Sequence, residues 1–442
     1  MFLLILAAGP IAARAEASHS AAPDSTKQPA HDMGAMGHDM ADMDMAGMDM
    51  SGQDAMTGMY GPYPMTREAS GTAWQPEQAA HEGIHVMRGP WMGMLHGSAD
   101  LVRTQQGGAR GGHKLFSGNM LMGMAQRPAG PGTLGLRVML SGEPATIGKS
   151  GYPLLLQTGE TADGRTPLVD RQHPHDLFME LAASYSASGG NRSWFVYGGL
   201  PGEPALGPPA FMHRFSGQAF PEAPITHHWL DSTHITYGVL TAGAVADRLK
   251  LEVSAFRGRE PDQERWNLER PKLDSGSLRV SFNPTPAWAL QASAGRLRSP
   301  EQLEPEVNTD RTTISTMYAH PWEGGRWEAM LAWGRNHDRP GHDLDAFTAE
   351  TAARVDRHTV FGRWERVQKD ELLPPGDTEA GRAFPVTKVA AGYRYDLWRI
   401  EHLTAGIGAM GSVVWLPFGL SRAYGSLGTP TSGLLFARVA LR

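Results

Sequence analysis

From Asp176 to Tyr185 the side chains fall into two alternating sets. Asp176, Phe178, Glu180, Ala182 and Ser184 share one face, and Leu177, Met179, Leu181, Ala183 and Tyr185 share the other. This is the period of an extended strand, whose successive side chains point to opposite faces. The pattern recurs along the chain and predicts strands over 92–103, 113–124, 133–141, 176–186, 192–199, 233–244, 247–257, 274–283, 287–297, 312–319, 325–334, 346–353, 357–367, 386–395, 401–410 and 432–441. Some segments are cleanly two-faced: Leu249, Leu251, Val253 and Ala255 oppose Lys250, Glu252 and Ser254, and Leu278, Val280 and Phe282 oppose Ser277, Arg279 and Ser281.

A soluble sandwich would show the same alternation, so the connections decide between the two architectures. After two of medium length they run long, short, long, short. Short ones such as Val245-Ala246, Pro284–Pro286 and Arg354–Asp356 follow long ones such as 142–175, 200–232, 258–273 and 368–385. An even number of strands joined alternately by short turns and long loops is the signature of an outer-membrane barrel. The expected fold is therefore all-β: a transmembrane antiparallel β-barrel of about 16 strands, wide enough for an aqueous lumen. Trp194, Trp288, Trp322, Trp327, Trp333, Trp398 and Trp415 lie near strand ends, as interfacial girdles require. With these boundaries residues 92–442 form the barrel, and residues 60–91, rich in turn formers, read as a connector or lumen plug.

The N-terminus has the marks of export. Phe2 to Ala8 is a short apolar run, and Ala13-Arg14-Ala15 supplies a small-x-small cleavage pattern, so residues 1–15 read as a Sec signal peptide leading to the outer membrane of a Gram-negative cell. No stretch of eighteen apolar residues follows that would cross a membrane as a helix. The chain has no cysteine, which excludes disulfides and thiolate metal sites, and its net charge of −6 with no basic stripe argues against nucleic acid as a partner.

Residues 16–59 form a tail that changes character after Ala30. From Met33 to Met59 it carries nine methionines (Met33, Met36, Met40, Met43, Met45, Met48, Met50, Met56 and Met59), with His38 and several aspartates between them. No aliphatic side chain larger than alanine occurs there, so the segment lacks the means to bury a core and is expected to be disordered. Thioethers are soft donors that select Cu(I), or Ag(I) by the same argument, and they keep a soft site in an oxidising compartment where a thiol would be lost. The competing reading is a low-complexity linker, but linkers normally draw on Gly, Ser and Pro.

The Met45-Ala-Gly-Met-Asp-Met50 run and its neighbours resemble the Met-rich N-terminal segment of the copper-resistance protein B family of proteobacterial outer-membrane barrels. That resemblance, confined to about a tenth of the chain, implies copper binding, resistance or transport, with periplasmic copper-handling proteins as partners beside the metal ion and outer-membrane lipid.

A second set of donors sits in the long connections. Arg171-Gln-His173-Pro-His175-Asp176 closes one, and Thr226-His227-His228-Trp-Leu-Asp231-Ser-Thr-His234 closes the next, with His213 midway along it. The two loops flank neighbouring strands, so their ends are expected to meet at the outer mouth. Imidazoles beside carboxylates suit Cu(II) or Zn(II), which makes His173, His175, Asp176, His227, His228, Asp231 and His234 candidate ligands. The same residues would serve equally well as a structural network around a metal-independent, porin-like pore. A hydrolase built on Ser232 with Asp231 and His234 finds little support, because no G-x-S-x-G elbow is present, and no catalytic activity is expected.

Overall fold

The computed structural model describes residues 56–425 and 429–441. The expected signal peptide and Met33, Met36, His38, Met40, Met43, Met45, Met48 and Met50 lie outside the described residues.

Sixteen antiparallel strands close into a barrel. They are β1 Trp91–Gln106, β2 Gly112–Ala129, β3 Gly132–Leu140, β4 Phe178–Gly189, β5 Arg192–Gly199, β6 Val239–Ala246, β7 Leu249–Phe256 and β8 Ser275–Thr285, followed by β9 Trp288–Arg298, β10 Asn308–Trp322, β11 Gly325–Arg339, β12 Asp343–Val355, β13 His358–Lys369, β14 Phe384–Ile400, β15 Leu403–Trp415 and β16 Thr431–Leu441. Each strand pairs with its sequence neighbours, and β16 closes on β1, with Ala440 opposite Ser98 and Ser432 opposite Gln106. Closure leaves no open edge, which a sheet in lipid requires because an unpaired amide has no water to bond there. Among the described residues no helix is long and apolar enough to cross a membrane.

Every strand expected from the alternation is present. The sixth is shifted: it begins at Val239 and not at residue 233, because Ser232–His234 form a one-turn 3-10 helix and Ile235 and Tyr237 are buried inside the barrel. The connections on one rim are shorter than expected. Seven of them are two-residue turns, closed by the pairs Ala129–Gly132, Gly189–Arg192, Ala246–Leu249, Thr285–Trp288, Trp322–Gly325, Val355–His358 and Ile400–Leu403. Two of these place an aspartate in the left-handed region, Asp247 and Asp356, each at φ 54°, a conformation that the short polar side chain of Asp tolerates better than most.

Burial shows which side of the sheet faces what. Leu249, Leu251 and Val253 are exposed while Lys250 and Glu252 are fully buried; Leu278, Val280 and Phe282 are exposed while Arg279 is fully buried. In water such an arrangement would lose on both faces. With hydrocarbon outside and paired charges inside, it gains on both. Trp194, Trp288, Trp322, Trp327 and Trp398 stand exposed within a few residues of the two-residue turns, forming a girdle at that rim. Trp415 lies exposed at the opposite end, and Trp333 is half-buried and donates its Nε1–H to Asp345 Oδ1 at 3.0 Å.

The inner face is occupied. Residues 56–82 run along it with almost no secondary structure, and wall side chains take up their backbone carbonyls. Ser186 Oγ bonds to Met59 O at 2.8 Å, Ser193 Oγ to Tyr60 O at 2.7 Å and Asn283 Nδ2 to Gln75 O at 2.8 Å. Lys250 donates to Thr72 O and Arg137 to Gly71 O. Arg137 and Lys250 also stack over the Tyr60 and Trp74 rings. After this segment a short strand, Ile84–Arg88, hairpins directly onto β1.

Candidate lumen site

Two long connections, 141–177 after β3 and 200–238 after β5, fold down the inner face, below the rim where the spacing alone would leave them. Charge pairing with the wall accounts for this. Arg214 donates to Glu350 Oε1 of β12 at 2.5 Å and to Asp231 Oδ2 at 3.0 Å, and Arg363 of β13 donates to Glu350 Oε2 at 3.2 Å. Glu222 pairs with Lys388 of β14 at 2.5 Å, and Thr226 donates through both N and Oγ1 to Glu365 Oε1 at 3.1 and 3.0 Å. All of these groups are buried, so each charge depends on its partner for solvation.

These anchors gather five histidines. His175 Nδ1 lies 2.9 Å from Glu143 Oε2, His227 Nδ1 2.8 Å from Asp231 Oδ1, and His234 Nδ1 2.8 Å from the Asp231 carbonyl. An acceptor at Nδ1 selects the tautomer that carries its proton there and leaves Nε2 with a lone pair, the form in which imidazole binds a metal. The His234 ring centroid is 5.3 Å from that of His175 and 5.1 Å from that of His227. His228 adjoins His227 at 5.4 Å and His173 at 6.0 Å, completing the cluster. Burial lowers the pKa of His173 and His227, and it lowers that of His234 to about 3, helped by the neighbouring imidazoles, so these rings are neutral at physiological pH.

His173 Nε2 meets Glu160 Oε1 at 3.1 Å, whereas His228 Nδ1 faces Glu260 Oε1 at 3.4 Å and Glu301 Oε1 at 3.7 Å. Neither ring nitrogen of buried His228 completes a hydrogen bond. One donor atom from each of His228, Glu260 and Glu301 lies within 4.8 Å of the others, a set that fits a borderline divalent ion such as Zn(II) or Cu(II). Burial pushes the Glu301 carboxyl well up, with Glu260 adding to the effect, while at Glu260 the opposing effect of burial is outweighed by His228 and Arg311, which hold it ionised.

The other expected ligands are engaged elsewhere. Asp176 accepts from Arg265 Nη1 at 3.0 Å, and Asp231 is shared by Arg214, His227 and the Phe211 amide at 2.8 Å. Both hold side chains in place with oxygens already committed. Ser232 Oγ accepts from Arg311 Nη1 at 3.0 Å and has no histidine partner among the described residues, which do not assemble the hydrolase arrangement. Met59 is buried against Tyr60, Phe195 and Val245, and the Met56 carbonyl accepts from Met65 N at 2.8 Å. Spacing missed Glu143, Glu160, Glu260 and Glu301, which come from three different connections and carry no local motif.

His228 also lines a cavity of about 620 Å³ bounded by Glu160, Glu301, Glu304, Asp338, Asp370 and Glu371, against Arg165 and Arg311. On the other side of the cluster, His173 and His175 line a smaller cavity of about 90 Å³. The histidines thus stand between an acidic vestibule and an inner chamber.

The architecture is that of a porin-type β-barrel. No protein-family model and no curated protein matches the sequence. Among solved structures the chain is similar to OmpF of Salmonella typhi in complex with daunomycin, at 8% identity over 80% of this chain and 100% of that one, with a TM-score of 0.50. It is also similar to the anion-selective porin from Comamonas acidovorans, at 9% identity over 80% of this chain and 100% of that one, with a TM-score of 0.48. At 8% identity the likeness to OmpF is one of fold.

Proposed function

We propose that this chain is an outer-membrane, porin-like conduit for cations, narrowed by its own inward-folded loops. The observation that carries the reading is the vestibule: six carboxyl groups against two guanidinium groups, in a cavity that reaches the His228 ring. Carboxylates in a confined space raise the local concentration of cations and repel anions. In planar bilayers under a salt gradient the reversal potential should have the sign of cation selectivity, and Glu304→Gln with Glu371→Gln should move it toward zero. An anion-selective wild type would end the proposal, as would an absence of conductance from folded, inserted protein.

A second reading, soft-metal capture by the tail, rests on the nine methionines between Met33 and Met59. Here the tail binds Cu(I) or Ag(I) and limits the free ion or delivers it to the barrel, while His228, Glu260 and Glu301 are the residues suited to hold Cu(II) or Zn(II). A peptide spanning residues 31–60 should bind Cu(I) far more tightly than its Met→Leu counterpart. Equal binding by the two would remove this reading.

A further inference from the structure

We infer that the inner face of β1–β4 carries a binding site for a soft univalent cation, Cu(I) or Ag(I), built from Met122, Met139 and Met179 with His96 and His213. Strand register creates it: His96 on β1 is opposite Met122 on β2, and Met122 is opposite Met139 on β3. Met139 in turn faces the start of β4, where a register shift brings Met179 inward beside Glu180. The four side chains therefore form one transverse row on the lumen side of adjacent strands, while intervening residues such as Leu95, Leu121 and Val138 face outward.

The chain returning from β5 covers this row. His213 Nε2 sits 3.3 Å from Met139 Sδ, and Met212 packs on the same cluster. Bonds of about 2.0 Å to nitrogen and 2.3 Å to sulfur at a tetrahedral ion place the two donors about 3.5 Å apart, close to what is seen. His96 Nδ1 lies 2.9 Å from the Glu82 carbonyl, which leaves its Nε2 with the lone pair, and the His96 and His213 rings are 6.2 Å apart.

Packing by itself does not account for the composition. The other buried apolar clusters are built mainly from leucine, valine, alanine and aromatic side chains with one or two methionines each, whereas four of the five buried members of this cluster are methionines, the fifth being Ile235. Leucine fills space as well as methionine with less flexibility, whereas only the thioether is a soft ligand. Met124 extends the cluster toward a cleft lined by Met59, Met65, Met92 and Met94 with His85, whose ring nitrogens make no hydrogen bond. Met124 thus packs both on the cluster that holds Met59, at the end of the methionine-rich segment, and on the one that holds Met139. The site requires neither conduction nor capture by the tail.

The test uses the full chain, folded in detergent, with Met33, Met36, Met40, Met43, Met45, Met48 and Met50 changed to Ser so that the tail cannot contribute. Competition with a Cu(I)-specific colorimetric chelator under anaerobic, reducing conditions should show at least one equivalent retained with sub-micromolar affinity. Adding Met122→Leu and Met139→Leu should weaken binding at least tenfold, and X-ray absorption of the bound copper should report both sulfur and nitrogen neighbours. His213→Gln, which alters a loop and leaves the wall intact, should also weaken binding tenfold and decides the matter if the leucine pair fails to fold. Loss of all Cu(I) from the tail-substituted chain would overturn the inference. So would unchanged affinity in the barrel variants, or coordination without sulfur.

Discussion

Glu350 shows how much rests on single side chains in this lumen. It is buried and holds Arg214, Arg363 and Ser216 at once, and Arg214 in turn fastens the long connection carrying His213, His227, His228 and His234. Glu350→Ala leaves Arg363 without its paired carboxylate and Arg214 with Asp231 alone, a loss of about 3 to 5 kcal/mol for a buried pair broken on one side. The barrel wall keeps its backbone ladder, so the expected result is a released loop: single-channel conductance rises and becomes noisier while heat-modifiable migration persists. Asp370 contributes one step to the pH response at the vestibule, beside Glu301 and Glu304, whose pKa values burial also raises. Burial, with Glu371 nearby, raises the pKa of Asp370 from 3.8 to about 6. Cation selectivity should therefore fall as pH drops through about 6, where this carboxyl takes up its proton, as read from reversal potentials at a series of pH values. The sign for stability is opposite: a carboxyl whose folded pKa is raised contributes fully below the unfolded value and loses that contribution as pH climbs through about 6.

Among the elements, β7 and β8 state the inside-out rule most clearly. Leu251 and Val280 are paired across the two strands on the lipid side, and Glu252 and Arg279 on the lumen side, joined at 2.9 Å. Leu251→Arg places a charge on the hydrocarbon face near mid-strand and should cost about 2 to 4 kcal/mol in a refolding equilibrium with lipid vesicles, whereas the same change near a girdle should cost far less. These pairings were legible in the sequence because period two needs only local information. The start of β6 was not: Thr233, Ile235 and Tyr237 alternate as a strand would, yet contacts across the lumen draw them into a buried loop. The candidate site divides in the same way. Histidines clustered at the ends of two long connections announced His173, His175, His227, His228 and His234. Their carboxylate partners, and the row from His96 to Met179, depend on register and on loops from distant parts of the chain, for which there is no local signal.

At the scale of the whole molecule, a bare barrel of sixteen strands would hold an open aqueous channel. Here residues 56–82 and two long connections line that space, the former hydrogen bonded to strands β4, β5, β7, β8 and others around the wall. Deleting residues 56–82 should leave a folded barrel with conductance raised severalfold, whereas an unchanged conductance would mean that the loops alone set the constriction. What the amino-acid sequence determined by itself was the barrel: strand count, the face each side chain takes, the alternation of turns and loops, and the presence of soft and imidazole donors, all of which follow from the two-residue period of an extended backbone. Only the tertiary structure decided that the loops and the segment before β1 turn inward, since that depends on pairing buried charges across the lumen. The same inward turn brings donors far apart in sequence to one place.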